Sequence, residues 1–108
     1  MFFRFQSNTN IYNGQYFVQD SDDILVVSLN YRTNIFGQPG APQLSVNTTQ
    51  SQNFGVLDLN AAVQWVYNNI AAFGGDLERI ILFGESAGAV MVDVYSYMHP
   101  NDTIVKGL

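Results

Sequence analysis

Ser86 stands at the centre of Gly84-Glu85-Ser86-Ala87-Gly88, with a glycine two residues to either side. A serine in this spacing suits nucleophilic attack on a carbonyl, provided a tight turn lifts its hydroxyl clear of the backbone. Such a turn crowds the flanking positions so closely that side chains there would collide, which is the physical use of Gly84 and Gly88. It also forces positive φ on Ser86, a conformation that non-glycine residues adopt only under constraint. The N–H of Ala87, opening a following helix, would point at a developing oxyanion with the positive end of the helix dipole behind it. The same five letters arise by chance in loops. Context separates the two cases: Ile80-Ile81-Leu82-Phe83, too short for a helix, is expected as a buried parallel strand, and a helix-permissive run follows from Ala87.

The elements that must position this serine lie upstream. Ile24-Leu25-Val26-Val27-Ser28-Leu29 is a near-continuous run rich in branched residues, expected as a parallel strand covered on both faces. From about Gly55 to Phe73, Leu59, Ala62, Val63, Val66, Ile70 and Phe73 follow three-and-four spacing. That predicts an amphipathic helix, with Asn53 as its cap and Gly74-Gly75 as its stop. Joined as a right-handed crossover, these segments give an α/β architecture with β-α-β-α order and a mostly parallel sheet. Residues 1–23 are aromatic and amide-rich, expected as a surface loop with one helical turn near Gly14 to Gln19 capped by Asn13. Gly37 to Ser51 is a long loop without periodicity. Trp65, Tyr95 and Tyr97, beside Val66, Val94 and Met98, are expected as packing residues rather than a ligand-stacking set.

The chain has 108 residues, 47% of them hydrophobic and 12% charged, enough for one modest core and too apolar for disorder. Nine acidic against four basic residues give a net charge of -5, which argues against nucleic acid and anionic membrane surfaces as partners. No apolar run approaches the ~18 residues of a membrane span. Without cysteine there is no disulfide framework. Met1-Phe2-Phe3-Arg4-Phe5 lacks the apolar stretch and small-residue cleavage site of a signal peptide. Asn47-Thr48-Thr49 and Asn101-Asp102-Thr103 are acceptor triplets for N-glycosylation, of the kind that suits a secreted protein and also arises by chance.

With Gly84-Glu85-Ser86-Ala87-Gly88-Ala89 stand Asn30-Tyr31-Arg32, Phe36-Gly37, Gly55-Val56-Leu57-Asp58, Gln64-Trp65-Val66 and Asn69-Ile70-Ala71-Ala72-Phe73-Gly74-Gly75-Asp76. In this order and register the chain resembles the type-B carboxylesterases, the cholinesterase and lipase branch of the α/β-hydrolases, from about Tyr12 to Leu108. The resemblance implies a partial, incomplete α/β-hydrolase fold, with residues 1–108 a fragment of one catalytic domain. It implies a serine hydrolase of small-molecule or lipid esters, secreted in full length, with no cofactor and no metal. Oligomeric state is left open. It further implies a salt bridge between Arg32 and Asp58, expected as a buried pair rather than two solvated surface charges. Glu85 either tunes the electrostatics around the catalytic histidine, as the family position implies, or is a buried or half-buried carboxylate held by backbone donors. Met1 falls at or just after the expected end of the family's Gly-Gly-Gly-Phe oxyanion loop.

Ester hydrolysis through a serine needs a base within reach of Oγ, an acid to orient the base, and donors for the oxyanion. In the family's order, serine is followed by the acid and then by histidine. Only His99 lies downstream of Ser86, and a helix from Ala87 to about Met98 would hold the two ~18 Å apart where ~3 Å is required. His99 is expected to end that helix before Pro100. Asp93 and Asp102 lie too near the serine in sequence for the family's acid. The expectation is therefore a catalytic Ser86 and Ala87, supported by Gly84, Glu85 and Gly88, with acid and base outside this chain and little turnover from the chain alone. Two other readings stand beside it: a non-catalytic cholinesterase-like interaction domain, which would more naturally have lost the serine, and a truncated product without function.

Overall fold

A computed structural model describes residues 14–45 and 52–108. Short helices come first: α1 (Gln15–Gln19), α2 (Asn34–Gly37) and α3 (Pro42–Ser45). The helical turn expected near Gly14 is α1, entered through Gly14 at φ 68; its expected cap, Asn13, lies outside the described residues.

The long helix α4 (Phe54–Asn69) and the helix behind the serine, α5 (Ala87–Met98), carry the core. Their three-and-four spacing brings Val56, Leu59 and Val63 of α4 against Met91, Val92 and Tyr95 of α5, with Leu82 between them. A second cluster joins Val66 and Ile70 to Ile80. Asn53 occupies the cap position of α4, but its side chain does not cap: its carbonyl accepts from Val56 and Leu57, and its Oδ1 accepts from Gln38 Nε2 at 3.2 Å. α4 tightens into a 3₁₀ turn, Ile70–Phe73, and stops at Gly74, whose φ of 84 costs a residue without Cβ little. Asp76 then caps a further 3₁₀ turn, Leu77–Arg79, by accepting from Glu78 N at 2.9 Å, and the chain leaves extended at Ile80.

Three packing expectations need correction. Phe73 is exposed at the end of its turn. Trp65 is 52% exposed and Tyr97 78% exposed, because the buried stripe of each helix is narrow; only Tyr95 of the three aromatics enters the core. Trp65 instead leans on Phe73, ring centroids 6.4 Å apart.

The expected sheet is not formed among the described residues, and neither Ile24–Leu29 nor 80–83 is a strand there. Ile24 and Leu25 are exposed, while Val27 and Leu29 pack against the core from their edge of it. Ile80 and Leu82 are buried, yet Ile81 between them is 58% exposed. A strand covered on both faces needs a layer of side chains on each. Helix side chains here reach Ile80 and Leu82 only, so alternation replaces uniform burial. Isolated bridging forms instead: Leu29 is a bridge residue, and Ile81 makes a parallel bridge with Gly107, with Lys106 N donating to Ile80 O at 2.8 Å and Leu82 N to Gly107 O at 2.9 Å. The extended segment at 105–108 was not legible in the sequence: Ile104 and Val105 are followed at once by Lys106 and Gly107, too short a run to signal a strand.

Candidate active site

Ser86 joins the extended segment to α5 at φ 55 and ψ -119, one of two described non-glycine residues with positive φ. A Cβ on Gly84 would lie 2.3 Å from the Gly88 carbonyl carbon, 2.4 Å from its oxygen and 2.8 Å from Ala89 N. The turn is therefore closed backbone against backbone, and only glycine fits at its start. Serine at a helix entry ordinarily accepts from an amide of the first turn. Here the Gly88 amide donates to Glu85 O at 2.9 Å and those of Ala89 and Val90 to Ser86 O at 3.0 and 3.2 Å, so backbone carbonyls serve that purpose. The Ser86 side chain makes no cap hydrogen bond, and the residue is exposed. Ala87 is the first residue of α5, at the positive end of the helix dipole. Glu85 is exposed as well.

His99 sits at the opposite end of α5 from Ser86, as the residue closing the helix, its N–H donating to Tyr95 O. Its Nε2 is 3.1 Å from Asn60 Oδ1 on α4, and its ring lies against Tyr95 with centroids 4.4 Å apart. It does not meet the serine. Nearby, the Tyr95 hydroxyl donates to Asp102 Oδ2 at 2.6 Å, and Asp102 also accepts from Ile104 N at 2.8 Å and Val105 N at 3.3 Å. Partial burial pushes the Asp102 carboxyl up, but these three donors and the neighbouring His99 outweigh it and hold it below the ordinary carboxylate range. Burial, then the hydrogen bond to Asp102 and last the Asp102 charge, push the Tyr95 phenol well above its usual value.

Arg32 and Asp58 meet. Arg32 Nη2 donates to Asp58 Oδ1 at 2.8 Å, and Nε donates to Oδ2 at 2.8 Å and Oδ1 at 3.1 Å. The Arg32 backbone N–H adds a bond to Oδ2 at 2.8 Å. This fork geometry is what guanidinium and carboxylate planes favour. The pair is not buried, however: the side chains are 52% and 26% exposed, and the Phe54 ring at the start of α4 lies 5.1 Å from the guanidinium carbon. The side-chain hydrogen bond from Arg32, opposed by partial burial and helped by the backbone bond, holds the Asp58 carboxyl below its usual range. A Cβ on Gly37 or Gly55 would lie 2.1 or 2.7 Å from the Arg32 carbonyl oxygen, so both glycines are needed for the backbone to reach α4 here.

Sequence reasoning missed the Tyr95–Asp102 contact and the Asp76 cap; the Asp-x-Glu order at 76–78 was an available signal for the second. Asn101 is exposed in the turn after α5, and Asn47 lies outside the described residues. Among the described residues no group of His, Cys, Asp and Glu is arranged to hold a metal, and no helix is long and apolar enough to cross a membrane.

The sequence model of the carboxylesterase family matches residues 2–107. A chlorogenic acid esterase of Aspergillus niger is 50% identical over 91 residues, which are 84% of this chain and 17% of that protein. Secreted lipase 5 of Gibberella zeae is 46% identical over 94 residues, 87% of this chain and 17% of its own length. Acetylcholinesterase of Electrophorus electricus is 38% identical over 94 residues, covering 87% of this chain and 14% of that protein. The chain thus spans 14 to 17% of the length of these curated relatives. No solved structure matches.

Proposed function

Because the chain belongs to the carboxylesterase family, we propose that Ser86 is the nucleophile of a carboxylic-ester hydrolase. The observation that carries this reading is an exposed serine held at φ 55 over a turn that no side chain at position 84 can enter. Ser86 Oγ attacks the ester carbonyl carbon while a base takes its proton; the Ala87 N–H, at the helix start, donates to the oxyanion of the tetrahedral adduct. Collapse expels the alcohol, and water then releases the acid from the acyl-serine. Gly84 and Gly88 support the turn, Glu85 adds negative charge beside it, and Arg32 with Asp58 fastens the entry of α4. The chain's one histidine is committed to the far end of α5, so the base and its orienting acid come from sequence outside these 108 residues.

In the whole protein the segments 24–29, 80–83 and 105–108 are neighbouring members of a mostly parallel sheet, for which the Ile81 to Gly107 bridge is the support. Substrates are esters of small molecules or lipids, a class shared by the names of the first two relatives. Secretion of the whole protein agrees with the name of the Gibberella zeae lipase, and Asn101 would then be open to a glycan. A fluorophosphonate probe tests the proposal: the full-length protein is expected to label at Ser86, and absence of labelling overturns the enzyme reading. The 108-residue chain alone is expected to label weakly and to show no substantial esterase turnover; strong labelling there would overturn its inactivity.

A further inference from the structure

We infer that Asp102 is a positioning residue for the serine turn, acting through the segment 104–108 that it sets in register beside the extended segment leading to Ser86. The inference rests on the hydrolase reading of Ser86 for its functional half and on hydrogen bonding alone for its structural half. The carboxylate has three donors in two places. Tyr95, on the buried face of α5, gives it its hydroxyl at 2.6 Å, which fixes the carboxylate to the helix that begins at Ala87. The amides of Ile104 and Val105 then bind the same carboxylate at 2.8 and 3.3 Å, which fixes where the following segment starts. From that start, Lys106 N reaches Ile80 O at 2.8 Å and Gly107 O accepts from Leu82 N at 2.9 Å. Lys106 Nζ adds a solvent-exposed contact with Glu78 Oε2 at 3.3 Å.

Each link has a physical reason to be specific. A slip of one residue in an extended segment turns its side chains to the other face. Ile104 and Val105 pack against both core clusters, so a slip would expose apolar surface as well as break the bridge to Ile81. The bridge to Gly107 joins the backbone of the extended segment at 80–82 to the segment that Asp102 places, and Ser86 follows four residues later. Asp102 therefore connects both sides of the serine turn: the helix behind it through Tyr95, and the segment before it through 104–108. A carboxylate accepts from all three donors at once, as its four lone-pair sites allow.

The test compares Asp102→Ala, Asp102→Asn and Tyr95→Phe in the full-length protein. Amide hydrogen exchange reads the structural half without any need for activity. In Asp102→Ala the Leu82 and Lys106 amides should lose protection roughly tenfold, the factor carried by a lost hydrogen bond to a charged group. Asp102→Asn, which keeps an acceptor oxygen, should restore most of it. Unchanged protection of both amides in Asp102→Ala overturns the inference. The fluorophosphonate labelling rate at 25 °C reads the functional half: Asp102→Ala should slow it several-fold with little change in probe affinity, Tyr95→Phe should slow it less, and Asp102→Asn should recover it. A labelling rate equal to wild type in Asp102→Ala, with only the melting temperature lowered, shows a merely structural residue and overturns the positioning role. A wild-type protein that does not label fails the hydrolase reading, and the exchange data still decide the register.

Discussion

Gly84→Ala isolates the geometry on which the serine turn depends. The added Cβ would sit 2.3 Å from the Gly88 carbonyl carbon and 2.4 Å from its oxygen, where carbon atoms are comfortable only beyond ~3.5 Å. Both obstacles are backbone, so no rotamer change relieves them, and the extended segment and α5 must part by about 1 Å. Overpacking of this kind destabilises by ~1 to 3 kcal/mol. The larger effect falls on chemistry, since a displacement of about 1 Å at a reacting group can cost ~100-fold in rate. Gly107→Ala is the matched control, because its Cβ would meet only Ile81 side-chain carbons at 3.6 and 3.9 Å, an ordinary contact. Fluorophosphonate labelling rates and thermal melts of the two full-length variants make the comparison. Wild-type labelling and wild-type melting in Gly84→Ala would refute the claim that this turn is closed backbone against backbone.

Other outcomes follow from the same geometry. Ser86→Gly and Ser86→Ala should both abolish labelling, but Ser86→Gly should melt higher, since only glycine escapes the ~1 kcal/mol or more stored by φ 55 at a side-chain-bearing residue; equal melting temperatures would contradict the strain. Leu59, 0% exposed between α4 and α5, should cost ~2 to 5 kcal/mol when changed to Ala, measured by urea unfolding. Asp58 has a folded carboxyl pKa below its unfolded one, so the pair with Arg32 contributes above the unfolded carboxylate range near 4 and is lost as pH falls through that range towards the folded value. Melting temperatures of wild type and Asp58→Asn should therefore converge as pH falls from 7 to 3, and parallel curves would show that the pair contributes nothing that titrates.

Legibility in the sequence followed the range of the interactions. The span of α4 was readable because Leu59, Val63, Val66 and Ile70 repeat with the period of the helix itself, and its stop was readable because Gly74 can take φ 84. Positive φ at Ser86 was likewise local, set by two glycines within two residues. Burial was not. Trp65 and Ile81 each had an apolar neighbourhood in sequence, yet which face of a helix or extended segment meets another element is decided by the elements that arrive there. The approach of residue 107 to residue 81, the closing of Tyr95 on Asp102 and the half-exposed setting of Arg32 with Asp58 all depend on segments brought together by packing.

By itself the sequence determined the local geometry: where the chain must turn, which serine the turn presents, and where α4 runs and stops, because backbone sterics and helical period act within a few residues. Tertiary structure alone decided which surfaces are covered, which strand candidates find a neighbour, and that His99 is engaged by Asn60 and Tyr95 at the far end of α5. Those outcomes depend on contacts between residues distant in sequence, for which no local pattern carries the information.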